Sequence, residues 1–170
     1  GIHESQSRIW ENNVGKSLPF WRHLYPKLQR AFPQPFKTIR LADFMRFIKR
    51  VTPSLIRTEA DEVTYNLHII LRFEIERDLI EGRLKVEDVP RMWREKMREY
   101  LNIRVPDDRR GCLQDVHWSA GLISYFPTYA LGNLYAAQFY AAARSALPRL
   151  DEDLTHGRFA PIREWLRENI

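Results

Sequence analysis

A chain of 170 residues, 44% hydrophobic and 29% charged, has the makeup of a globular protein and can bury about 70% of its unfolded surface. Its 7 glycines and 10 prolines leave no room for a long linker or low-complexity tract, and one cysteine, Cys112, excludes both an intrachain disulfide and a cysteine-built zinc site. The formal charge of +5 comes from 27 Lys and Arg interleaved with 22 acids, as in Arg91-Met92-Trp93-Arg94-Glu95-Lys96, which describes a solvated helix face rather than a nucleic-acid footprint.

The elements expected in chain order are helical. Residues 2–15 and 20–31 read as short amphipathic helices, split at Leu18-Pro19 and ended by Phe32-Pro33. The segment 41–51 repeats apolar residues at Phe44, Phe47 and Ile48, the spacing of a buried helical stripe. The next helix is predicted from Thr58, where Thr58 and Asp61 resemble a capping box and acids crowd the first turn. Its face runs through Val63, Leu67, Ile70, Leu71, Glu74 and Ile75, and Gly82 lies beyond its end. A further helix is predicted over 86–102, with Pro90 in its first turn. Val105-Pro106-Asp107-Asp108 is a loop signal.

From Val116 to Ala143 there is no Asp, Glu, Lys or Arg. Pro127, Asn133 and Gln138 argue against a membrane span there. The stretch predicts a helix apolar all round, of the kind buried at the centre of a larger protein. Left uncovered, it predicts self-association. A last amphipathic helix opens near Ala160-Pro161. Gly1-Ile2-His3-Glu4 has no basic stretch followed by an apolar one, so no secretory leader is expected, and with the single cysteine this points to a cytoplasmic location.

Several residues have side chains suited to chemistry. Glu4 and Glu11, seven apart, fall on one helix face. Arg57 is left over once Thr58 and Asp61 are explained as a cap, and an arginine beside a cleft suits a carboxylate through paired hydrogen bonds. Gly111-Cys112-Leu113-Gln114-Asp115-Val116-His117-Trp118 concentrates polar groups ahead of the apolar stretch. Tyr125 and Tyr129 follow at helical spacing, and a His with a Tyr can donate to an oxyanion in acyl transfer.

Three motifs, His-Glu-Ser-Gln-Ser at 3–7, Ile-Arg-Thr-Glu-Ala-Asp at 56–61 and Gly-Cys-Leu-Gln-Asp-Val-His-Trp at 111–118, stand in the order and spacing of the Taq-type carboxypeptidases. The chain resembles that family along its whole length, including Arg8-Ile9-Trp10-Glu11-Asn12, residues 125–133 and Trp165-Leu166. The resemblance implies an all-α fold with a deep cleft, a homodimer, and a zinc enzyme that removes C-terminal residues from peptides. It makes Glu4 a zinc ligand. His117, Tyr125 and Tyr129 become catalytic candidates, and Arg57, Arg109, Arg110, Gln114 and Asp115 substrate-binding ones. Arg57 is the candidate anchor for the substrate's terminal carboxylate, with Arg109 and Arg110 as rivals.

The chain departs from the family pattern in lacking His-Glu-x-x-His, whose histidines and glutamate would supply two ligands and the general base. Ser124 stands where the family commonly has Gly. Residues 1–170 are therefore expected to be one C-terminal piece of a larger helical domain, inactive alone, with the N-terminal remainder of the same protein as its natural partner. The competing readings are a noncatalytic helical module that binds peptides or partners, and a basic nucleic-acid binder whose affinity would fall steeply with salt.

Overall fold

The computed structural model describes residues 1–170. Its regular elements are all helical, as the sequence predicts: α1 (Ile2–Arg8), α2 (Leu18–Ala31), α3 (Pro33–Phe36), α4 (Leu41–Ile48), α5 (Tyr65–Ile80), α6 (Val89–Leu101), α7 (Pro127–Ala146), α8 (Leu150–Thr155) and α9 (Ala160–Asn169), with short π and 3-10 turns between. They belong to two compact units, residues 1–50 with 132–170, and residues 51–131. No helix is long and apolar enough to cross a membrane.

In the first unit α1 runs directly into a π-helical turn, Ile9–Val14, closed by the Gly15 N–H reaching the Trp10 carbonyl at 2.8 Å. Ile9 and Val14, five residues apart, are both fully buried. A regular α-helix would rotate them about 140° away from each other, so the wider turn is what lets both reach one core. That core adds Ala136, Leu150, Leu154, Ile162 and Leu166. α2 begins where Ser17 Oγ accepts the Phe20 N–H, with Pro19 in the first turn. Proline fits there because its missing N–H would be unbonded anyway. The expected division between two helical segments is present, but it falls at residues 15–17, and Leu18-Pro19 opens the second. On α4, Phe44 and Met45 are buried against Trp21 and Tyr25 of α2, whose rings lie 4.5 and 5.0 Å from Phe44. Phe47, expected in the buried stripe, is 73% exposed.

The second unit corrects the expected start of its main helix. Arg57–Glu59 is a 3-10 turn and Ala60 is extended. Asp61 organises the turn ahead of the helix, with no part for Thr58: its carboxylate accepts the Val63 and Thr64 N–H groups and the Thr64 hydroxyl. α5 therefore starts at Tyr65. It ends before Gly82, whose φ of +70° suits a residue without Cβ. Val63 and Ile70, expected on the buried face, are exposed, while Tyr65, His68, Ile69, Leu71, Arg72, Ile75 and Glu76 are buried. α6 packs on α5 through Trp93, Met97 and Leu101, which with Leu71, Ile75, Leu84, Val89, Val105 and Cys112 form the core of this unit. Asn102 ends α6 in the left-handed conformation.

The charge-free stretch is not one buried helix. Residues 116–126 are a series of turns, with positive φ at Gly121 and Ser124, and helix begins only at Pro127. The residue before a proline is disfavoured in helical conformation, which sets that boundary. Val116, Ile123, Leu131 and Leu134 are exposed.

Candidate active site

α5 carries a polar stripe at four-residue spacing, His68, Arg72 and Glu76, and all three are buried. Burying such groups is costly unless partners satisfy them. The loop 111–118 supplies most of the partners. Asp115 accepts from Arg72 Nε at 2.8 Å and from Arg57 Nη2 and Nε at 2.6 and 3.1 Å. The neighbouring Gln114 uses both ends of its amide. Its oxygen accepts the Arg57 backbone N–H at 2.9 Å and Arg72 Nη2 at 2.8 Å, and its nitrogen donates to the Leu55 and Arg110 carbonyls. Arg57 Nη1 reaches the Tyr65 hydroxyl at 2.9 Å, and Arg72 Nη1 the His68 carbonyl at 2.7 Å.

Aromatic faces complete the cation sites. Arg72 lies 4.5 Å from the centre of the Trp93 ring and Arg57 lies 5.0 Å from that of Tyr129. Two guanidinium groups share one carboxylate, and the buried Glu76, one turn along α5 from Arg72, supplies a second acid beside them. Burial would raise the Asp115 pKa, but hydrogen bonds and charge from Arg57 and Arg72 hold it below the ordinary carboxylate range. Burial lowers Arg72 to about 10, still charged at neutral pH. Burial also pulls on Arg57, yet its bonds to Asp115 and Tyr65 leave it above its ordinary value.

His117 sits at the edge of this group, 8% exposed, with its ring packed 4.4 Å from that of Phe126. Its Nε2 is 3.0 Å from the Tyr129 hydroxyl, and its Nδ1 has no hydrogen-bond partner, the nearer Asp115 oxygen being 3.9 Å away. Burial lowers its pKa, against the pull of Asp115 and helped by the two arginines, so it is neutral at pH 7. Tyr125, partly exposed, stands 5.6 Å from His117 and 5.5 Å from Tyr129, ring to ring. A neutral imidazole has one N–H, so within this hydrogen bond one group donates and the other accepts; with the imidazole as donor, the Tyr129 O–H is the group that a developing oxyanion would accept.

The structure thus brings together six of the residues singled out in the sequence: Arg57, Gln114, Asp115, His117, Tyr125 and Tyr129. Arg110 contributes only its carbonyl, since its guanidinium pairs with Asp107 at 2.6 Å on the surface. Arg109 is exposed. Glu4 belongs to the other unit, where it pairs with Arg8 at 3.2 Å, and Arg8 also holds Glu11 at 2.9 Å. A Cβ on Gly132 would lie 3.1 Å from Glu4 Cγ, so the glycine allows that helix to approach closely. No three His, Cys, Asp or Glu side chains converge to hold a metal ion, so this chain's residues alone do not fit a zinc site. Sequence reasoning missed Arg72, His68 and Glu76. They recur at every fourth position of α5, which places them on one face of the helix.

All 170 residues match the family described as Carboxypeptidase Taq (M32) metallopeptidase. The chain is 49% identical over its full length to thermostable carboxypeptidase 1 of Thermus thermophilus and 49% identical to carboxypeptidase 1 of Bacillus subtilis, covering 33% and 34% of those proteins. It superposes on the crystal structure of the M32 carboxypeptidase from Deinococcus radiodurans R1 with a TM-score of 0.97 at 45% identity, over 100% of this chain and 34% of that one. The chain spans about a third of the length of the curated relatives it matches. With the three motifs, the all-helical fold and the family match agreeing from end to end, this chain belongs to the Taq (M32) family of metallopeptidases.

Proposed function

We propose that this chain is one part of a zinc-dependent metallocarboxypeptidase, a single piece of a larger helical domain, and that the whole protein releases C-terminal amino acids from peptides. The observation that carries this reading is the His117–Tyr129 pair beside the buried Arg57–Asp115–Arg72 cluster. Arg57 is a guanidinium suited to a carboxylate, and the pair offers an O–H donor for a carbonyl oxygen, which are the two recognition needs of a peptide C-terminus. In this reading His117, Tyr125 and Tyr129 face the reacting carbonyl. Arg57 anchors the substrate's terminal carboxylate, with the exposed Arg109 and Arg110 as rivals, and Gln114 and Asp115 hold Arg57 in place.

Glu4 supplies one carboxylate toward zinc, and the other donors come from elsewhere in the protein. Bound zinc would supply a polarised, acidified water for hydrolysis. Alone, this chain is expected to be inactive, a noncatalytic helical module at most. Buried Cys112 is in keeping with a reducing, cytoplasmic setting. Exposed Ile123, Leu131 and Leu134 are in keeping with a homo-oligomer.

The test is to give the whole protein an N-terminally blocked peptide and identify the released residue, with zinc content measured in parallel. Stepwise release from the C-terminus, and less bound zinc in Glu4→Gln, is the expected result. Release from the N-terminus or from internal bonds, or unchanged zinc in Glu4→Gln, would overturn the reading.

A further inference from the structure

His117 and Tyr125 lie on a segment without regular structure, and its only regular neighbour in sequence is the start of α7. Most of the hydrogen bonds within residues 116–124 are internal to it: Ala120 N–H to the Val116 carbonyl, Leu122 N–H to the His117 carbonyl, Gly121 N–H to the Trp118 carbonyl, Ile123 N–H to the Gly121 carbonyl. Such bonds shape a loop but do not fix it to a scaffold. One side chain on a rigid helix does. Glu76, on α5 and 3% exposed, accepts the Trp118 Nε1–H at 2.7 Å and the Ser124 backbone N–H at 2.5 Å. The two donors are six residues apart, one beside His117 and the other beside Tyr125.

Both attachments have a physical reason to matter. Ser124 has φ of +60°, the left-handed conformation that an L side chain rarely adopts. A charge-assisted hydrogen bond to its N–H opposes relaxation to a commoner conformation. Trp118 is wedged edge-on against Trp93 and Phe126, at 6.3 and 5.8 Å. His117 in turn packs on that same Phe126. A carboxylate so deeply buried and satisfied by neutral donors alone is expensive to desolvate, and its two bonds converge on the segment that carries the reactive side chains.

We propose that Glu76 is a positioning residue: its carboxylate pins both ends of the 118–124 loop to α5 and so sets the placement of His117 for the substrate carbonyl. This rests on the reading of His117 as a group that faces substrate. Neither Glu76 nor Ser124 touches the reacting atoms; they act through His117.

The experiment is a double-mutant cycle in the whole protein, following kcat and KM for release of the C-terminal residue from a blocked dipeptide. Glu76→Gln keeps the size of the side chain but can accept only one of the two N–H groups. It is expected to lower kcat about tenfold with KM changed less than about twofold, the signature of misplacing a group that acts in the transition state. In a His117→Ala background the same change is expected to lower kcat no further, because the loop then has nothing to position. Trp118→Phe, which deletes one donor and leaves Glu76 intact, carries the same cycle should Glu76→Gln fail to fold. Full kcat in both Glu76→Gln and Trp118→Phe, or an equal loss with and without His117, would overturn the proposal. If His117→Ala itself leaves kcat unchanged, the fault lies in the reading of His117 as substrate-facing.

Discussion

Asp115 and Arg72 meet at 2.8 Å across 43 residues of chain, and the Arg72 side chain is completely enclosed. The same carboxylate receives Arg57, so one acid from the 111–118 loop answers two buried cations from two other segments. Buried charges gain little net stability as a set, but removing one partner exposes the full cost of burying the rest.

Asp115→Ala is therefore expected to lower the unfolding free energy by about 3–5 kcal/mol, read as a shift of the urea midpoint of the whole protein. Arg72→Met removes a cation, leaves an apolar side chain against Trp93 and Phe126, and keeps the Arg57–Asp115 pair. It is expected to lose clearly less. Equal losses would show that the shared carboxylate is not the keystone of the unit.

His68 gives the stability a pH dependence. It is fully buried, neither ring nitrogen forms a good hydrogen bond, and burial with the nearby Arg72 charge pushes its pKa to about 4, against a pull from the Ser54 backbone. The unfolded residue titrates near 6.5, so between those values the unfolded state holds more protons. Stability from this group is full above pH 6.5 and is lost as pH falls toward 4, by up to about 3 kcal/mol. The depressed pKa of Asp115 has the same sign at lower pH, its contribution disappearing as pH falls below the ordinary carboxylate range. His68→Leu is expected to flatten the profile between pH 6.5 and 4 while leaving the steeper acid limb, measured by chemical unfolding across pH.

Ser124→Gly is expected to stabilise the whole protein by about 1 kcal/mol, because relief of the left-handed strain exceeds the added chain entropy of glycine. A higher thermal midpoint would bear this out. A lower one would mean that the serine side chain contributes something its geometry does not reveal.

Tyr129→Phe deletes the hydroxyl 3.0 Å from His117 Nε2 and little else. It is expected to lower kcat by about tenfold or more, as loss of a transition-state donor does, with a much smaller change in KM. An unchanged kcat would assign the tyrosine to packing.

Much of this was legible in the residues themselves. Apolar spacing predicted most of the helices, Gly82 marked the end of α5, and the loop 111–118 declared its polar groups openly. What stayed hidden depends on contacts distant in sequence. Thr58 and Asp61 satisfied a local capping rule, yet Arg57 just before them is held by Gln114 and Asp115, which fixes the 3-10 turn and delays α5 to Tyr65. The charge-free stretch matched a long buried helix by composition. Backbone geometry at Gly121, Ser124 and Pro127 broke it, and only the glycine and the proline carried a local signal. Arg72 and Glu76 went unremarked because their partners, Asp115 and Trp118, lie about forty residues away.

The most direct test of the account is amino-acid release from a blocked peptide by the whole protein, comparing wild type with His117→Ala at matched zinc occupancy. The account predicts C-terminal release by wild type and a kcat at least about tenfold lower in the variant, with zinc content unchanged. Equal kcat at equal zinc would contradict it, because His117 and the network that holds it would then have no part in the chemistry.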